Sequence, residues 1–262
     1  EFELCNPTLS RASVRSPGVG GCVNLGPMSN AQYIHGYDAR EQDRLIAQAA
    51  FWEDLIVDGL SLGPSDALLE IGCGAGAVLG VLGRAFPQAS FAGIDIAPEQ
   101  IDRAITHLAA TCPGTAADLR VGDGARLPWP DETFTHVYLI WVLEHMKDPG
   151  PILREACRVL KPGGRITLTE TDYNFVIHPE HVDYAELMLA WRQLFAARGS
   201  AVIARVLGPA LLEAGFTGVG NRVVGLHYFA QPGDDGLRRA TNYIADFMEP
   251  ECDVMAESQG CL

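Results

Sequence analysis

Segments with the length and apolar pattern of strands alternate with helix-like segments from residue 67 to residue 171. Regular alternation of this kind predicts a parallel sheet with helices on both faces, because each parallel crossover places a helix against the sheet. The sequence therefore predicts an α/β fold with a Rossmann-like, doubly wound and mostly parallel sheet. The predicted strands are Ala67–Ile71, Phe91–Ile96, Asp118–Val121, Thr135–Ile140 and Arg165–Thr171, and the predicted helices are Gly76–Phe86, Pro98–Ala110 and Gly150–Leu160.

The first predicted strand runs into a glycine turn, LLEIGCGAGAVLG, at residues 68–80. Gly72, Gly74 and Gly76 stand where the strand meets the next helix, whose first N–H groups are free to bind a ligand that approaches the backbone closely. Read with Ala77, the spacing also fits the dinucleotide pattern G-x-G-x-x-A, and Asp95 ends the next strand where an acid would bind a ribose. The turn alone leaves NAD and other adenosine cofactors open.

Three features disfavour an NAD-dependent reductase. Glu70, two residues before Gly72, suits a cationic group better than a pyrophosphate. Asp123 directly follows the third strand, where a carboxylate can accept a hydrogen bond from an exocyclic amine. Neither of the two lysines, Lys147 and Lys161, has a tyrosine four residues before it, so the Tyr-x-x-x-Lys proton donor is missing.

Charge and cysteine content exclude other classes. A net charge of −14 argues against a nucleic-acid surface, which needs clustered Lys and Arg. The seven cysteines are never spaced as a metal or redox pair, and they predict reduced thiols in a cytoplasmic protein. No run of apolar residues is long enough to predict a membrane span.

Residues outside the alternation divide the chain further. We expect residues 1–27 to be a disordered or cloning-derived extension, residues 28–62 to form a lid helix, and residues 63–262 to form the main domain. Helical patterns near Val182–Ala197 and Ile203–Ala214 predict a helical substrate wall at about residues 178–215. A strand-like run, VVGLHYFA, follows at residues 223–230, and a last helix is predicted over Leu237–Met248.

Four stretches occur in the order typical of the class I S-adenosylmethionine-dependent methyltransferases, and the chain resembles their small-molecule branch, which includes the ubiquinone/menaquinone C-methyltransferases. The stretches are LLEIGCGAGAVLGVL, FAGIDIAPEQIDRA, VGDGARLPWPDETFTHVYLIWVLEHMKDP and ILREACRVLKPGGRITLTE, and they cover about residues 66–171. The resemblance implies S-adenosylmethionine as the cofactor and a seven-stranded sheet. The chain departs from that pattern, since VVGLHYFA supplies only one of the last two strands.

The resemblance also implies a cofactor site, residue by residue. The glycine turn would line the methionine end, Asp95 would hold the ribose with Ile96 against the adenine, and Asp123 would recognise the adenine amine. Tyrosines of the opening YIHGY resemble a lid that contacts the cofactor carboxylate. The predicted cofactor-binding residues are Tyr33, Tyr37, Glu70, Gly72, Gly74, Gly76, Asp95, Ile96, Asp123, Gly124, Ala125 and Ile140.

Candidates for catalysis and acceptor binding are less constrained. His145 is a candidate base because imidazole titrates near neutral pH, and Tyr37 and Asp172 are further catalytic candidates. An aromatic wall with few basic residues favours an apolar or aromatic acceptor. The predicted acceptor-binding residues are His35, Trp141, Tyr173, Trp191 and His227.

Two functions remain open at this stage. The preferred one is an enzyme that methylates a small molecule, with no nucleic-acid or membrane partner. The alternative is a catalytically silent module that binds S-adenosylmethionine and regulates a partner. If copies of the chain form a homo-oligomer, we expect the lid or a sheet edge to join them.

Overall fold

The structure is a computed structural model that describes residues 36–115, 117–173, 177–225, 227–230, 232–252 and 255. The predicted extension at residues 1–27, Tyr33 and His35 lie outside the described residues. The helices are α1 (Ala39–Phe51), α2 (Glu53–Val57), α3 (Ala77–Ala85), α4 (Pro98–Thr111), α5 (Gly150–Val159), α6 (Val182–Arg198), α7 (Leu207–Glu213) and α8 (Gly236–Met248). Short 3-10 helices span Leu143–His145, Ile203–Arg205 and Glu249–Glu251.

Five parallel strands form one sheet in the order β3-β2-β1-β4-β5. The strands are β1 (Ala67–Ile71), β2 (Ser90–Asp95), β3 (Ala117–Val121), β4 (Phe134–Ile140) and β5 (Leu160–Thr169). The order reverses direction at β1, which pairs with β2 on one side and β4 on the other. Ligands in such sheets bind beyond the carboxyl ends of the strands at this switch point. The predicted parallel α/β fold is confirmed.

Alternate residues of β1 enter different cores, as expected for a strand buried on both faces. Leu68 packs in a cluster with Leu79 of α3 and Ile101 of α4. Leu69 packs on the other face in a cluster with Leu153 of α5 and Leu211 of α7. The continuous apolar pattern of β1 thus follows from helices on both sides of the sheet.

A third cluster joins the end of β5 to the helices that follow it. It contains Tyr173, the α6 residues Trp191 and Phe195, and Met248 of α8. The predicted helical region after the sheet is therefore present, and it packs through aromatic side chains.

The predicted strand at residues 223–230 is wrong for the residues that the structure describes there. Residues 221–225 and 227–230 form no strand, and Val223 is 88% exposed. A strand requires a hydrogen-bonded neighbour, and this run has none among the described residues. The described part of the chain thus contains five strands and not seven.

None of the helices that the structure describes combines the length and the apolar character needed to cross a bilayer.

Candidate cofactor and acceptor site

The glycine turn after β1 has a backbone that favours glycine at three positions. Gly72, Gly74 and Gly76 have φ values of +74°, +48° and +73°. The N–H groups of Gly72 and Cys73 donate to the carbonyl oxygen of Ile94 at 2.8 and 3.0 Å. These bonds attach the turn to the end of β2, next to the switch point of the sheet.

The three glycines meet different neighbours. A methyl group placed on Gly72 would lie 2.6 Å from Cγ2 of Val142, and one on Gly76 would lie 2.9 Å from Cβ of Ala104 in α4. A methyl group on Gly74 would lie 3.4 Å from Cδ1 of Leu45 in α1. Gly76 therefore permits close packing of α3 on α4, whereas α1 approaches the turn at Gly74.

Asp95, the last residue of β2, holds the turn and the start of α4 together. Its Oδ2 accepts a hydrogen bond from the N–H of Gly74 at 2.9 Å, and its Oδ1 accepts one from the N–H of Ala97 at 3.0 Å. Burial raises the pKa of Asp95, while these backbone donors oppose the shift. The carboxylate thus has a structural role at the position predicted for ribose binding.

Glu70 adds a second buried carboxyl group beside Asp95. Its side chain is 2% exposed, and its Oε2 has no hydrogen-bond partner among the described residues. Burial and the charge of Asp95 raise the pKa of Glu70 well above its ordinary value. A backbone hydrogen bond at Leu79 opposes that shift only in part. Charging this buried carboxyl group is costly, and a bound cationic group would relieve that cost. The site therefore fits a ligand that carries positive charge, as S-adenosylmethionine does.

The ends of β2 and β3 expose apolar side chains beside this site. Ile96 is 45% exposed. Gly124 lies close to β1, since a methyl group on it would lie 2.7 Å from Cγ2 of Ile71. Asp123 is exposed, and its Oδ1 accepts a hydrogen bond from the N–H of Ala125 at 2.8 Å. An apolar surface next to an exposed acceptor suits an adenine ring with an exocyclic amine.

Trp141 follows β4 in an unusual backbone conformation. Its φ is +55°, which is strained for a residue with a side chain, and such strain concentrates at functional sites. Its indole centroid lies 6.3 Å from that of Trp52, which in turn lies 5.9 Å from the ring of Tyr243 in α8. Ile140, by contrast, is buried in the core cluster around Leu68.

Sequence reasoning missed Trp52 and Tyr243. Trp52 directly follows α1 and continues the helical spacing of Leu45 and Ala49, which predicts only a buried helix face. Tyr243 lies almost two hundred residues further on, and no local pattern indicates that its ring meets Trp52. The spacing of Tyr243 and Phe247 in α8 indicates an aromatic helix face, but it does not identify the partner of that face.

The three predicted catalytic residues have different surroundings. The ring of His145, in the 3-10 helix after β4, lies 5.8 Å from that of Phe195, and its Nε2 lies 3.7 Å from Oε1 of Glu144. Asp172 forms two hydrogen bonds of 2.8 Å with the guanidinium of Arg205. Tyr37 is half-buried just before α1. Asp172 thus forms a half-exposed ion pair with Arg205, and its catalytic role stays a prediction.

Two predicted acceptor contacts lie inside the third cluster. Trp191 is fully buried at 0% exposure, and Tyr173 donates its hydroxyl to Oε1 of Glu144 at 3.0 Å. Their rings pack with centroids 5.9 Å apart, so both stabilise the helical wall from within. His227 is exposed in a segment without regular structure, where its ring lies 5.9 Å from that of Phe229. Of the predicted acceptor residues described, Trp141 is the one that adjoins the cofactor turn.

The parallel sheet, the glycine turn at its switch point and the acids beside it define a Rossmann-like domain that binds a nucleoside cofactor. Residues 69–168 match a family described as a methyltransferase domain. Residues 69–168 therefore form a methyltransferase domain, which supports the predicted class I S-adenosylmethionine-dependent methyltransferase and implies S-adenosylmethionine as the cofactor.

Curated relatives agree with this family. The chain is 33% identical over 134 residues to a 27-O-demethylrifamycin SV methyltransferase from Amycolatopsis mediterranei (strain S699), a match that covers 51% of this chain and 49% of the relative. It is 30% identical over 158 residues to a demethylmenaquinone methyltransferase from Symbiobacterium thermophilum, covering 57% and 63% of the two chains. These matches span about half to three fifths of the relatives' own length.

A solved structure shows the same fold. A S-adenosylmethionine-dependent methyltransferase from Aquifex aeolicus superposes with a TM-score of 0.53 at 16% identity, covering 68% of this chain and 88% of the other. At that level of identity, the likeness concerns the fold alone.

Proposed function

We propose that the protein transfers a methyl group from S-adenosylmethionine to a small apolar or aromatic acceptor by in-line displacement. The observation that carries this proposal is the position of Trp141. It follows β4 directly, beside Val142, whose side chain packs against Gly72 of the cofactor turn. Trp141 also lies next to Trp52. The acidic site for a cationic cofactor thus adjoins an aromatic surface.

In this proposal, different residues of the site bind different parts of the cofactor. Glu70 and the backbone of Gly72 and Gly74 would hold the cationic methionine end, while Asp95 would accept from the ribose hydroxyls. Ile96, Asp123, Gly124 and Ala125 would enclose the adenine. Two more predicted ligands, Tyr33 and Tyr37, belong to the proposed lid.

When bound, the cofactor supplies a methyl group activated by a sulfonium. The chain itself has to align the acceptor and exclude water, and orientation supplies up to about 7 to 11 kcal/mol of a barrier in favourable cases. The rings of Trp52, Trp141 and Tyr243 offer an apolar surface for that alignment. His145 remains the candidate to accept a proton from an acceptor that carries one.

The contact of α1 with the cofactor turn supports a lid at the N-terminal end. Leu45 of α1 faces Gly74, and α1 is tied to α4 by Arg103, whose guanidinium pairs with Asp43 at 2.6 Å. We propose that α1 covers this side of the site; His35 and the other predicted lid residues before Gly36 lie outside the described residues.

The proposal is tested in two stages. Calorimetric titration with S-adenosylhomocysteine should give micromolar binding, whereas NAD should not bind. A methyl-labelled cofactor is then incubated with the protein and a panel that includes 27-O-demethylrifamycin SV, demethylmenaquinone and simpler phenols and quinols. Label in an acceptor confirms transfer. Metabolite extracts are tested in the same way. Binding of S-adenosylhomocysteine without transfer to the panel or to the extracts would favour the silent module. Binding of NAD without binding of S-adenosylhomocysteine would contradict the proposal.

A further inference from the structure

Glu170, just beyond the end of β5, binds the backbone of the segment that follows Trp141. Its Oε1 accepts hydrogen bonds from the N–H groups of Val142 and Leu143 at 3.1 and 2.7 Å. Its Oε2 accepts a longer one from the N–H of Glu144 at 3.3 Å. One carboxylate thus satisfies three consecutive donors at the start of the 3-10 helix, which otherwise has no side-chain cap.

The segment held by Glu170 contacts the cofactor turn on one side. The side chain of Val142 lies close to Gly72, since a methyl group placed on Gly72 would lie 2.6 Å from Cγ2 of Val142. Trp141, directly before it, has the strained φ of +55°. A shift of this backbone would therefore move both the neighbour of the cofactor turn and the aromatic ring beside it.

The same segment contacts the helical wall on its other side. The carbonyl oxygen of Glu144 accepts a hydrogen bond of 2.8 Å from the N–H of Ser200, just after α6. A methyl group on Gly199 would overlap that oxygen, so the two backbones are in direct contact. Segment 141–144 is thus fixed between the glycine turn and the end of α6.

We propose that Glu170 is a positioning residue for the cofactor site: its carboxylate fixes the backbone of segment 141–144 and thereby sets Val142 and Trp141 against the glycine turn. This inference rests on the proposed function, because it places the cofactor at that turn. Glu170 acts through the segment and not by contact with the reacting atoms.

The charge state of Glu170 decides how well it can do this. Burial raises its pKa to about 7, against three backbone donors that lower it. Protonation converts an acceptor oxygen into a donor, so it weakens the bonds to the backbone. Cofactor binding should therefore strengthen as the pH rises through about 7.

Other titratable groups face this position, and the experiment must separate them. Burial and the charge of Glu170 raise the pKa of Glu144, and Glu144 accepts a hydrogen bond from the hydroxyl of Tyr173. The positive charge of Arg44, from α1, lowers the pKa of Glu144. The charges of Arg44 and Glu144 also act on the pKa of Tyr243 in α8, in opposite directions. His145 lies 3.7 Å from Glu144. Only a variant at Glu170 isolates its share.

The test is calorimetric binding of S-adenosylhomocysteine between pH 6 and pH 8 by the full chain, by Glu170→Gln and by Glu155→Gln. Glu155 is the matched control, because its Oε2 also accepts a backbone hydrogen bond, from the N–H of Leu127 at 2.8 Å, in a different part of the fold. We expect the wild type to bind about tenfold more tightly at pH 8 than at pH 6. Glu170→Gln should bind about tenfold more weakly at pH 8 and show a smaller change with pH than the wild type, since Glu70 and Asp95, whose pKa values are also raised, still titrate. Glu155→Gln should behave as the wild type.

Hydrogen exchange supplies a readout that does not depend on the cofactor. Glu170→Gln should lower the protection of the amides of Val142, Leu143 and Glu144, and leave the amide of Leu127 unchanged. The proposal is overturned if the variant matches the wild type both in binding over the pH range and in protection of these amides. If the wild type itself binds no S-adenosylhomocysteine, the proposed function fails, and the loss or retention of protection still decides whether Glu170 holds the segment. If Glu170→Gln does not fold, a pH-independent protection of the three amides in the wild type overturns the proposal.

Discussion

The carboxylate of Asp95 accepts a hydrogen bond of 2.9 Å from the N–H of Gly74, across the junction between two strand ends. The end of β2 thereby supports the turn after β1. Asp95, predicted to bind the ribose, thus also fixes the glycine turn predicted to hold the methionine end. Asp95 has oxygen lone pairs left for a ligand, since Oδ2 accepts from Gly74, Oδ1 accepts from Ala97, and a carboxylate oxygen can accept more than one hydrogen bond.

Replacement of Asp95 by alanine should weaken the binding of S-adenosylhomocysteine by about 1 to 3 kcal/mol, because a hydrogen-bonded carboxylate is lost from both the ligand and the turn. Asp95→Asn should lose less, since its amide oxygen retains one acceptor. Calorimetry measures the affinity, and urea denaturation checks that the fold persists. An unchanged dissociation constant in Asp95→Ala would limit this residue to its structural role.

Gly72→Ala should destabilise the fold by about 2 to 5 kcal/mol, because it adds left-handed strain to a clash with Val142. Gly163→Ala is the matched control: Gly163 has a φ of +79° but no atom within 4 Å of an added methyl group. It should cost only the strain, about 1 to 2 kcal/mol. The double variant Gly72→Ala/Val142→Ala should recover the difference. Equal costs for the two single variants, measured by urea denaturation, would contradict the packing argument.

The free energy of unfolding should fall by roughly 1 to 3 kcal/mol as the pH rises from 5 to 8. The folded state raises the pKa of Glu170 from its ordinary 4.5 to about 7, so it binds more protons than the unfolded chain between these values. That stabilising contribution is complete below pH 4.5 and is lost as the pH rises through about 7. Glu144 shifts in the same direction.

Glu170→Gln should reduce this pH dependence, because the amide does not titrate, and leave the part that Glu144 contributes. It should also be more stable than the wild type at pH 8, even though it binds cofactor more weakly. Denaturation curves at pH 5, 6, 7 and 8 measure both effects. A wild type whose stability rises over this range would show that groups other than the buried acids dominate.

Trp52→Leu should raise the KM for the acceptor by about tenfold, the effect of losing one aromatic contact worth about 1 kcal/mol or more. The affinity for S-adenosylhomocysteine should stay within about twofold, since the ring of Trp52 packs with Trp141 and Tyr243 of the proposed acceptor surface. Trp129→Phe is the control, because Trp129 is buried in the core cluster of β1 and α5. Steady-state kinetics with the first acceptor found measures the change. A parallel loss of cofactor affinity would place Trp52 in the cofactor site.

Local patterns predicted most of the elements of this fold. β1 occupies the predicted residues, Ala67–Ile71, and α4 differs from its prediction only by ending at Thr111. The run at 223–230 was predicted as a strand from the same kind of pattern and is not one among its described residues. Its apolar residues favour a strand, but pairing with a distant edge is a property of the whole sheet, and the local composition carries no information about it.

The sequence by itself determined the alternation of strands and helices, the glycine turn and the acids at the strand ends, because each depends on residues close together in the chain. Only the tertiary structure decided that Glu170 holds the segment after Trp141, and that Trp52 and Tyr243 meet beside it. It also decided that Trp191 and Tyr173 are packed inside the helical wall and that Arg205 pairs with Asp172. These outcomes depend on which side chains meet across long separations in sequence, and packing alone selects among them.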